Sequence, residues 1–465
     1  MPLNFMPFAL KMRDIEASDI QIEAFRRNCM KAFSGKGCFI GEDEIAPVGE
    51  LPSLEQLAPL NKEQSDKLLN ACAVIKLNGG LATTMGLEGR PKSLVTAHGQ
   101  SSFLDLTVRQ ILSKREKLGN ESLPLILMNS FNTSSQTMKS LMSYLDLLEQ
   151  PVAVEIVQSR VPRIQADSLT PYASATDPLS EWCPPGHGDL YLSLFVSGLL
   201  VELLSRGIKY IFVSNIDNLG AGLDMRIPKW MASYGYPMVM EVSKRCAADR
   251  KGGHLARDVY GSFVLRESAM CKPEEREYFS DIERYRYFNT NNLWFDAEAL
   301  YKLIVSQGGL LDLPVIRNTK TLYDNWGKAC QVYQIESACG SIISSWPNAQ
   351  ALEVPRSRFV PVKGLSDLMI VRSDLFSVDS DYSIRYTGKS NVPPLISLPA
   401  EVNSLDDLEH MLPHGVPSLR CCSSLSVEGT VIFGKDVKCE GSVKVIATSE
   451  AYIPDGTVLR GEIRL

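Results

Sequence analysis

The stretch KLNGGLATTMGLEGRPKSLV, residues 76–95, decides the fold of this 465-residue chain. The run ACAVIKL, residues 71–77, leads into it: short and mostly apolar, it suits a buried strand. A helix is predicted over residues 103–118, with Leu104, Val108, Ile111 and Leu112 on one face. The loop between them lies at the carboxyl edge of a sheet, where open α/β folds take their ligands. Gly79 and Gly80 offer positive φ and close approach of the backbone. Successive backbone N–H groups in such a turn point at an anion, and Lys92 adds a mobile positive charge. Two familiar phosphate motifs do not fit. The fingerprint Gly-x-Gly-x-x-Gly is absent, and Gly86-x-x-x-x-Pro91-Lys92-Ser93 has proline where a Walker A loop needs its second glycine.

Working outward, strands are predicted over residues 123–128, 152–157 and 209–214, and helices over 133–148 and 189–206. Alternating strands and helices build βαβ units around a mainly parallel sheet. The right-handed crossover rule then gives an α/β, doubly wound, Rossmann-like architecture. Upstream, residues 12–34 read as a charged helix with Ile15, Ile22 and Phe25 apolar, followed by a Gly- and Pro-containing stretch over 35–59. Downstream, Leu425, Val431, Val437 and Val443 are spaced by six, and Ile453, Leu459 and Leu465 resume that spacing. A six-residue aliphatic repeat suits a small β-helix that points one aliphatic inward per side; a β-meander is the plainer alternative. The ends of such a stack are open, which favours self-association. The division expected is an N-terminal helical segment (1–70), a catalytic domain (71–375) and a C-terminal β-helix (376–465).

Composition limits the function classes. The hydrophobic fraction of 45% and charged fraction of 22% are those of a globular protein, and the length suggests two or three domains. A formal net charge of −6 excludes a general nucleic-acid binder but not an anionic small substrate. The 11 cysteines are scattered, with no Cys-x-x-Cys, so neither a disulfide framework nor a zinc site is expected. The opening MPLNFMPFALKMRD is too short and Pro-interrupted for a signal peptide, and no apolar run is long enough to span a bilayer, so the expected location is cytoplasmic.

The loop and the motifs after it resemble the signature of the UTP–glucose-1-phosphate uridylyltransferase (UDP-glucose pyrophosphorylase) family. The further motifs are MNSFNTS (128–134), QSRVPRI (158–164), PPGHGDLY (184–191), SNIDNLGA (214–221), KGGHLAR (251–257), FNTNNLW (288–294) and FVPVKGLSDLM (359–369), in the family's order over most of the chain. The resemblance implies a Rossmann-like nucleotidyltransferase domain with a C-terminal left-handed β-helix. It also implies transfer of the uridylyl group of UTP to glucose 1-phosphate, giving UDP-glucose and pyrophosphate, with no nucleic acid or membrane involved. In-line attack on the α-phosphorus of this kind is usually assisted by Mg²⁺. A UDP-N-acetylhexosamine or broad UDP-sugar pyrophosphorylase, and a uridine-nucleotide-binding protein without turnover, are the other readings.

Carried over position by position, the resemblance makes Lys92 and Lys363 the phosphate-binding lysines. Asp217, just past an apolar strand, is placed to hold a metal ion; as a lone residue it would read as a turn or cap aspartate. Asn215 flanks it as a ligand contact or turn former. Leu77, Asn78, Gly79 and Gly80 cradle the nucleotide, and Gly186 and His187 lie near it, with Asp189 capping the next helix. Met128 and Gln158 match positions around the uracil, although Met128 at a strand end equally suits the core. Gly253, Glu267, Phe288 and Asn291 match the sugar pocket. Two departures fall in the loop: Ala82 stands where the family has glycine, and residues 86–92 run one residue longer than usual. If position 82 needs positive φ, alanine costs on the order of 1 kcal/mol; if not, the change is nearly silent.

Overall fold

The computed structural model describes residues 3–34, 38–119, 123–246, 249, 252–323, 329–390 and 392–465. Its centre is a ten-stranded mixed sheet. In chain order the strands are β1 (Ile45–Pro47), β2 (Cys72–Asn78), β3 (Leu125–Asn129), β4 (Glu155–Val157), β5 (Tyr210–Asn215), β6 (Met238–Lys244), β7 (His254–Asp258), β8 (Phe263–Arg266), β9 (Tyr287–Asp296) and β10 (Gln350–Glu353). The main path runs β1-β7-β9-β5-β2-β3-β4, with β6 and β10 branching from β9 and β8 from β7. The block β5-β2-β3-β4 is parallel, as the alternation of strands and helices requires. Around β9 the pairing turns antiparallel, to β5 on one side and β6 on the other.

Strand β2 is buried at every position, because helices cover both faces of the sheet. One apolar cluster, on the face carrying Ile75, Ile126 and Ile211, packs under helices Leu190–Ser197 and Leu199–Ser205. The opposite face, with Val74, Leu125 and Phe212, packs under helix Phe103–Leu118. That helix has the predicted bounds, set by a Ser102/Asp105 capping box and by Gly119 at φ +61°.

Three predicted helices are each broken in two. The expected helix over 12–34 is Met6–Arg13 plus Asp19–Ser34, and Glu16 between them sits at φ +60°. The expected 133–148 helix is Ser134–Leu141 plus Leu145–Leu148. The apolar 189–206 helix bends by 67° at Gly198, whose φ is +70°. Among the described residues no single helix is long and apolar enough to cross a membrane. The N-terminal segment is not only helical. Its strand β1 extends the large sheet by pairing with β7, and its helices pack Phe8, Ile22 and Phe25 with Val315 and Ile335 of a separate hairpin. Part of the predicted 35–59 stretch, residues 35–37, lies outside the described residues.

In the C-terminal part, Ser418–Glu428, Lys438–Ile446 and Val458–Arg464 pair in parallel, as do Val431–Phe433 and Ala451–Ile453. Partners such as Leu425↔Val443 and Phe433↔Ile453 are one coil apart. Gly441 and Gly461 take positive φ where the strand register shifts, so they turn the corners. Parallel pairing excludes the β-meander. The six-residue positions Leu425, Val431, Val437, Val443, Ile453 and Leu459 are all buried, while terminal Leu465 is 42% exposed. Their core is continuous with Ala82, Met85 and Val95, so the nucleotide loop and the C-terminal part share one apolar cluster.

Candidate active site

The Gly-rich loop leaves β2 and doubles back as a narrow neck. Ala82 N–H donates to Arg90 O at 3.0 Å, and Lys92 N–H donates to Gly80 O at 3.1 Å. The extra residue of the loop is therefore absorbed in its tip, where Gly86 and Gly89 take φ of +69° and +70°. Gly79 and Gly80, expected to supply positive φ, do not. Gly79 is required for a different reason: a Cβ there would collide with the carboxamide of Gln158. Ala82 sits at φ −86°, so its methyl introduces no backbone strain. Arg90 turns away from the cleft and donates to Leu94 O at 2.9 Å.

Because the neck holds its position, Lys92 reaches across the cleft. Its Nζ donates to Asp217 Oδ2 at 2.6 Å, and both side chains are largely covered. Asp217 follows strand β5, one strand over from β2, so parallel pairing brings the two loops together. Its other oxygen, Oδ1, is buried with no hydrogen-bond partner. Lys363 arrives from a distant segment. Val362 N–H donates to Asp217 O, Thr84 Oγ donates to Lys363 O at 2.8 Å, and Lys363 Nζ lies 5.5 Å from the Phe288 ring centre. The structure thus brings both lysines and Asp217 to one end of the parallel block.

On the far side of the loop, Gln158 is buried and its Oε1 has no partner. Its backbone N–H donates to Asn129 O at 2.8 Å. Two residues expected at the ligand are instead internal. The side chains of Met128 and Leu77 belong to the apolar core. Asn78 is also turned inward, donating to Asn129 Oδ1 at 2.6 Å and Thr137 Oγ at 3.1 Å. All three lie at the strand ends that carry the cleft, and Asn78 Oδ1 is buried without a hydrogen-bond partner.

The sugar-pocket residues cluster. A Cβ on Gly253 would lie 2.5 Å from Glu267 Oε2, and Phe288 packs on Phe359 with 5.1 Å between ring centres. Burial pushes the Glu267 carboxyl upward against the pull of Lys363 and Asn289. Asn291 is held at φ +58° and donates to Asn215 Oδ1 at 2.8 Å. Asparagine is among the residues that tolerate this left-handed conformation, which here falls inside strand β9. Of the motif over 251–257, Lys251 lies outside the described residues.

Gly186, at φ +82°, lets the 184–191 segment press against Ser337, whose carbonyl oxygen would be 2.5 Å from an added Cβ. His187 Nδ1 accepts from Cys339 N–H at 3.0 Å, and burial lowers the imidazole pKa to about 4. The ring is therefore neutral, with its proton on Nε2. Asp189 occupies the N-cap position but caps nothing; its carboxylate accepts from Ser159 N–H and Ser193 Oγ.

Sequence reasoning missed three contributors. Cys339 lies between His187 and Asn291, with Sγ 3.3 Å from Asn291 Oδ1, and no local motif marks it. Lys76 is buried beneath the cleft, bonded to Ser214 Oγ and Ala221 O, with its pKa lowered to about 8 by desolvation. Arg358 forms a buried pair with Glu241, which Asn292 and Trp294 complete. A lysine inside an otherwise apolar strand was the one signal available for Lys76.

The site fits what the chain resembles. A family model described as UTP–glucose-1-phosphate uridylyltransferase matches residues 22–440. The UTP–glucose-1-phosphate uridylyltransferase of Saccharomyces cerevisiae is 39% identical over 399 residues, covering 85% of this chain and 78% of the yeast protein. Among solved structures, the UDP-glucose phosphorylase of Trypanosoma brucei superposes with a TM-score of 0.92 at 38% identity over 99% of both chains. A point mutant of Leishmania major UDP-glucose pyrophosphorylase, in complex with UDP-glucose, gives 0.92 at 37% identity over 99% of both.

Proposed function

The chain belongs to the UTP–glucose-1-phosphate uridylyltransferase family, and on that premise we propose the chemistry of its cleft. The enzyme is a nucleotidyltransferase that joins glucose 1-phosphate to the uridylyl group of UTP, giving UDP-glucose. A phosphate oxygen of the sugar attacks the α-phosphorus in line, the bond from that phosphorus to the bridging oxygen breaks, and pyrophosphate leaves. The observation that carries this reading is the convergence of Lys92, Lys363 and Asp217 beside a buried glutamine acceptor.

The roles follow from the groups. Lys92 and Lys363 neutralise charge that grows on the phosphates in the transition state. Gln158 Oε1, buried without a donor, accepts from N3–H of uracil; cytosine presents an acceptor there and is disfavoured. Glu267, Asn291 and the Phe288 ring offer a hexose two hydrogen-bonding groups and an apolar face. His187 donates from Nε2 as a neutral ring.

Mg²⁺ fits this donor set as well. The unpartnered Oδ1 of Asp217 suits a hard cation, and among the described residues no cluster of three or more metal-ligating side chains exists. Asp217 would hold the ion together with substrate phosphates, where it would supply charge neutralisation. Asp217→Asn should then raise the Mg²⁺ requirement more than it affects the fold.

We read the parallel C-terminal coils as a left-handed β-helix, on the six-residue spacing and the coil-to-coil register. We keep the domain division at residues 70 and 375 as a reading; strand β1 joins the first segment to the large sheet, and one apolar cluster joins the C-terminal part to the nucleotide loop. Self-association through the open end of the coil is proposed on its free edge strand Val458–Arg464 and exposed Tyr452; light scattering tests it. Unbridged buried thiols at Cys72, Cys183 and Cys339 support a cytoplasmic location. The function itself is tested by offering UTP and Mg²⁺ with glucose 1-phosphate or N-acetylglucosamine 1-phosphate. Product from the glucose ester alone supports it, and preference for the N-acetyl ester replaces it with the hexosamine reading.

A further inference from the structure

We propose that Asp189 is a positioning residue that holds Gln158 in register for reading the uracil ring. This rests on the assignment of Gln158 to uracil in the preceding subsection. Gln158 follows strand β4 and is pinned on its own N–H by Asn129 O at 2.8 Å. The next N–H, that of Ser159, donates to Asp189 Oδ2 at 2.6 Å. Both peptide groups of Gln158 are thereby fixed, one to the neighbouring strand and one to the start of helix Leu190–Ser197. The side chain is left with one narrow slot, against the backbone of Gly79 and with Oε1 unpartnered.

Asp189 does no capping of its helix. Its carboxylate accepts from Ser159 N–H and from Ser193 Oγ at 3.0 Å, and the Ser159 hydroxyl accepts from Gln21 Nε2 at 3.2 Å. A carboxylate only 8% exposed and paired with no cation is unfavourable for folding, and burial raises its pKa to about 6. A residue selected only for packing would not carry this charge. Both donors converge on Oδ2, so a carboxamide oxygen in the same place accepts both, whereas an apolar side chain accepts neither.

The test compares Asp189→Asn and Asp189→Ala with the unaltered enzyme, using UTP and CTP as alternative nucleotides. In Asp189→Ala, loss of the anchor on Ser159 N–H should raise KM for UTP about tenfold and reduce the preference for UTP over CTP by a similar factor, and Asp189→Asn, which keeps one acceptor oxygen, should restore both. The kcat with UTP and KM for glucose 1-phosphate should stay within about threefold. Unchanged KM for UTP and unchanged preference in Asp189→Ala, or in Asp189→Leu, which keeps the volume without an acceptor should the alanine variant not fold, overturn the proposal. So does a parallel fall of every parameter with thermal stability. Absence of turnover in the unaltered chain would instead count against the enzyme assignment, and calorimetric binding of UTP and CTP to the same variants would then decide the role of Asp189.

Discussion

Lys92 Nζ and Asp217 Oδ2 stand 2.6 Å apart, joining the neck of the Gly-rich loop to the segment just after strand β5. The pair closes the cleft at the point where two parallel strands deliver their loops. The pair fixes the lysine amine in the cleft while the carboxylate keeps one oxygen spare, which is the preorganised charge the proposed phosphate chemistry needs.

Lys92→Ala should therefore separate activity from stability. Removing one preorganised donor lowers kcat on the order of 10²-fold. A partly exposed ion pair contributes about 1 kcal/mol or less to folding. Pyrophosphate release and denaturant unfolding of the same preparation check both, and near-normal turnover would show Lys92 to be misassigned.

Ala82→Gly restores the residue the family has at that position, yet it should bring no gain. Ala82 is buried and at φ −86°, so glycine relieves no strain there. It adds unfolded-state entropy and loses a packed methyl, together about 1 kcal/mol of destabilisation. Turnover should stay within about twofold; a large rise in kcat would mean that the alanine restrains the loop.

Gly79→Ala should act on the nucleotide. The new methyl collides with the Gln158 carboxamide. KM for UTP is expected to rise about tenfold, corresponding to roughly 1.4 kcal/mol, through displacement of the glutamine. Initial rates over a range of UTP measure it. A variant that changes KM for glucose 1-phosphate instead would place Gln158 at the sugar.

His187 should stay neutral across the working pH range. Burial holds its folded pKa at about 4, below the ordinary imidazole value of 6.5, so the unfolded chain takes the proton first. The stability tied to the neutral ring is thus complete above pH 6.5 and is lost as pH falls toward 4. Imidazole NMR signals, assigned with His187→Gln, provide the measurement. A titration of His187 between pH 6 and 8 would contradict the buried Nε2–H tautomer.

The parallel half of the fold was legible because its strands are continuous apolar runs separated by helices, and the one with a capping box, Phe103–Leu118, was read to the residue. The breaks at Gly198 and around Glu16 were not, since an apolar pattern carries through a bend that tertiary packing imposes. The antiparallel strands around β9 were missed for a related reason: FNTNNLW is rich in asparagine, yet all of it is buried by cross-strand polar bonds. At the site, charge and glycine pointed to Lys92, Asp217 and Gly79, which the structure places on the loops at one end of the parallel block. Met128, Leu77 and Asn78 were assigned to the ligand although their side chains face inward, because a motif marks a segment and not the direction of each side chain. Cys339 and Arg358 act through partners far away in sequence, which spacing cannot reveal.

The central claim is that this cleft turns over, and not merely binds, its nucleotide. The direct measurement is product formation by the purified chain with UTP, glucose 1-phosphate and Mg²⁺, following UDP-glucose and pyrophosphate together. The account expects equal amounts of the two, and loss of both in Lys92→Ala. Calorimetric binding of UTP with no UDP-glucose formed under any pH or metal condition would contradict it and leave a nucleotide-binding protein without catalysis.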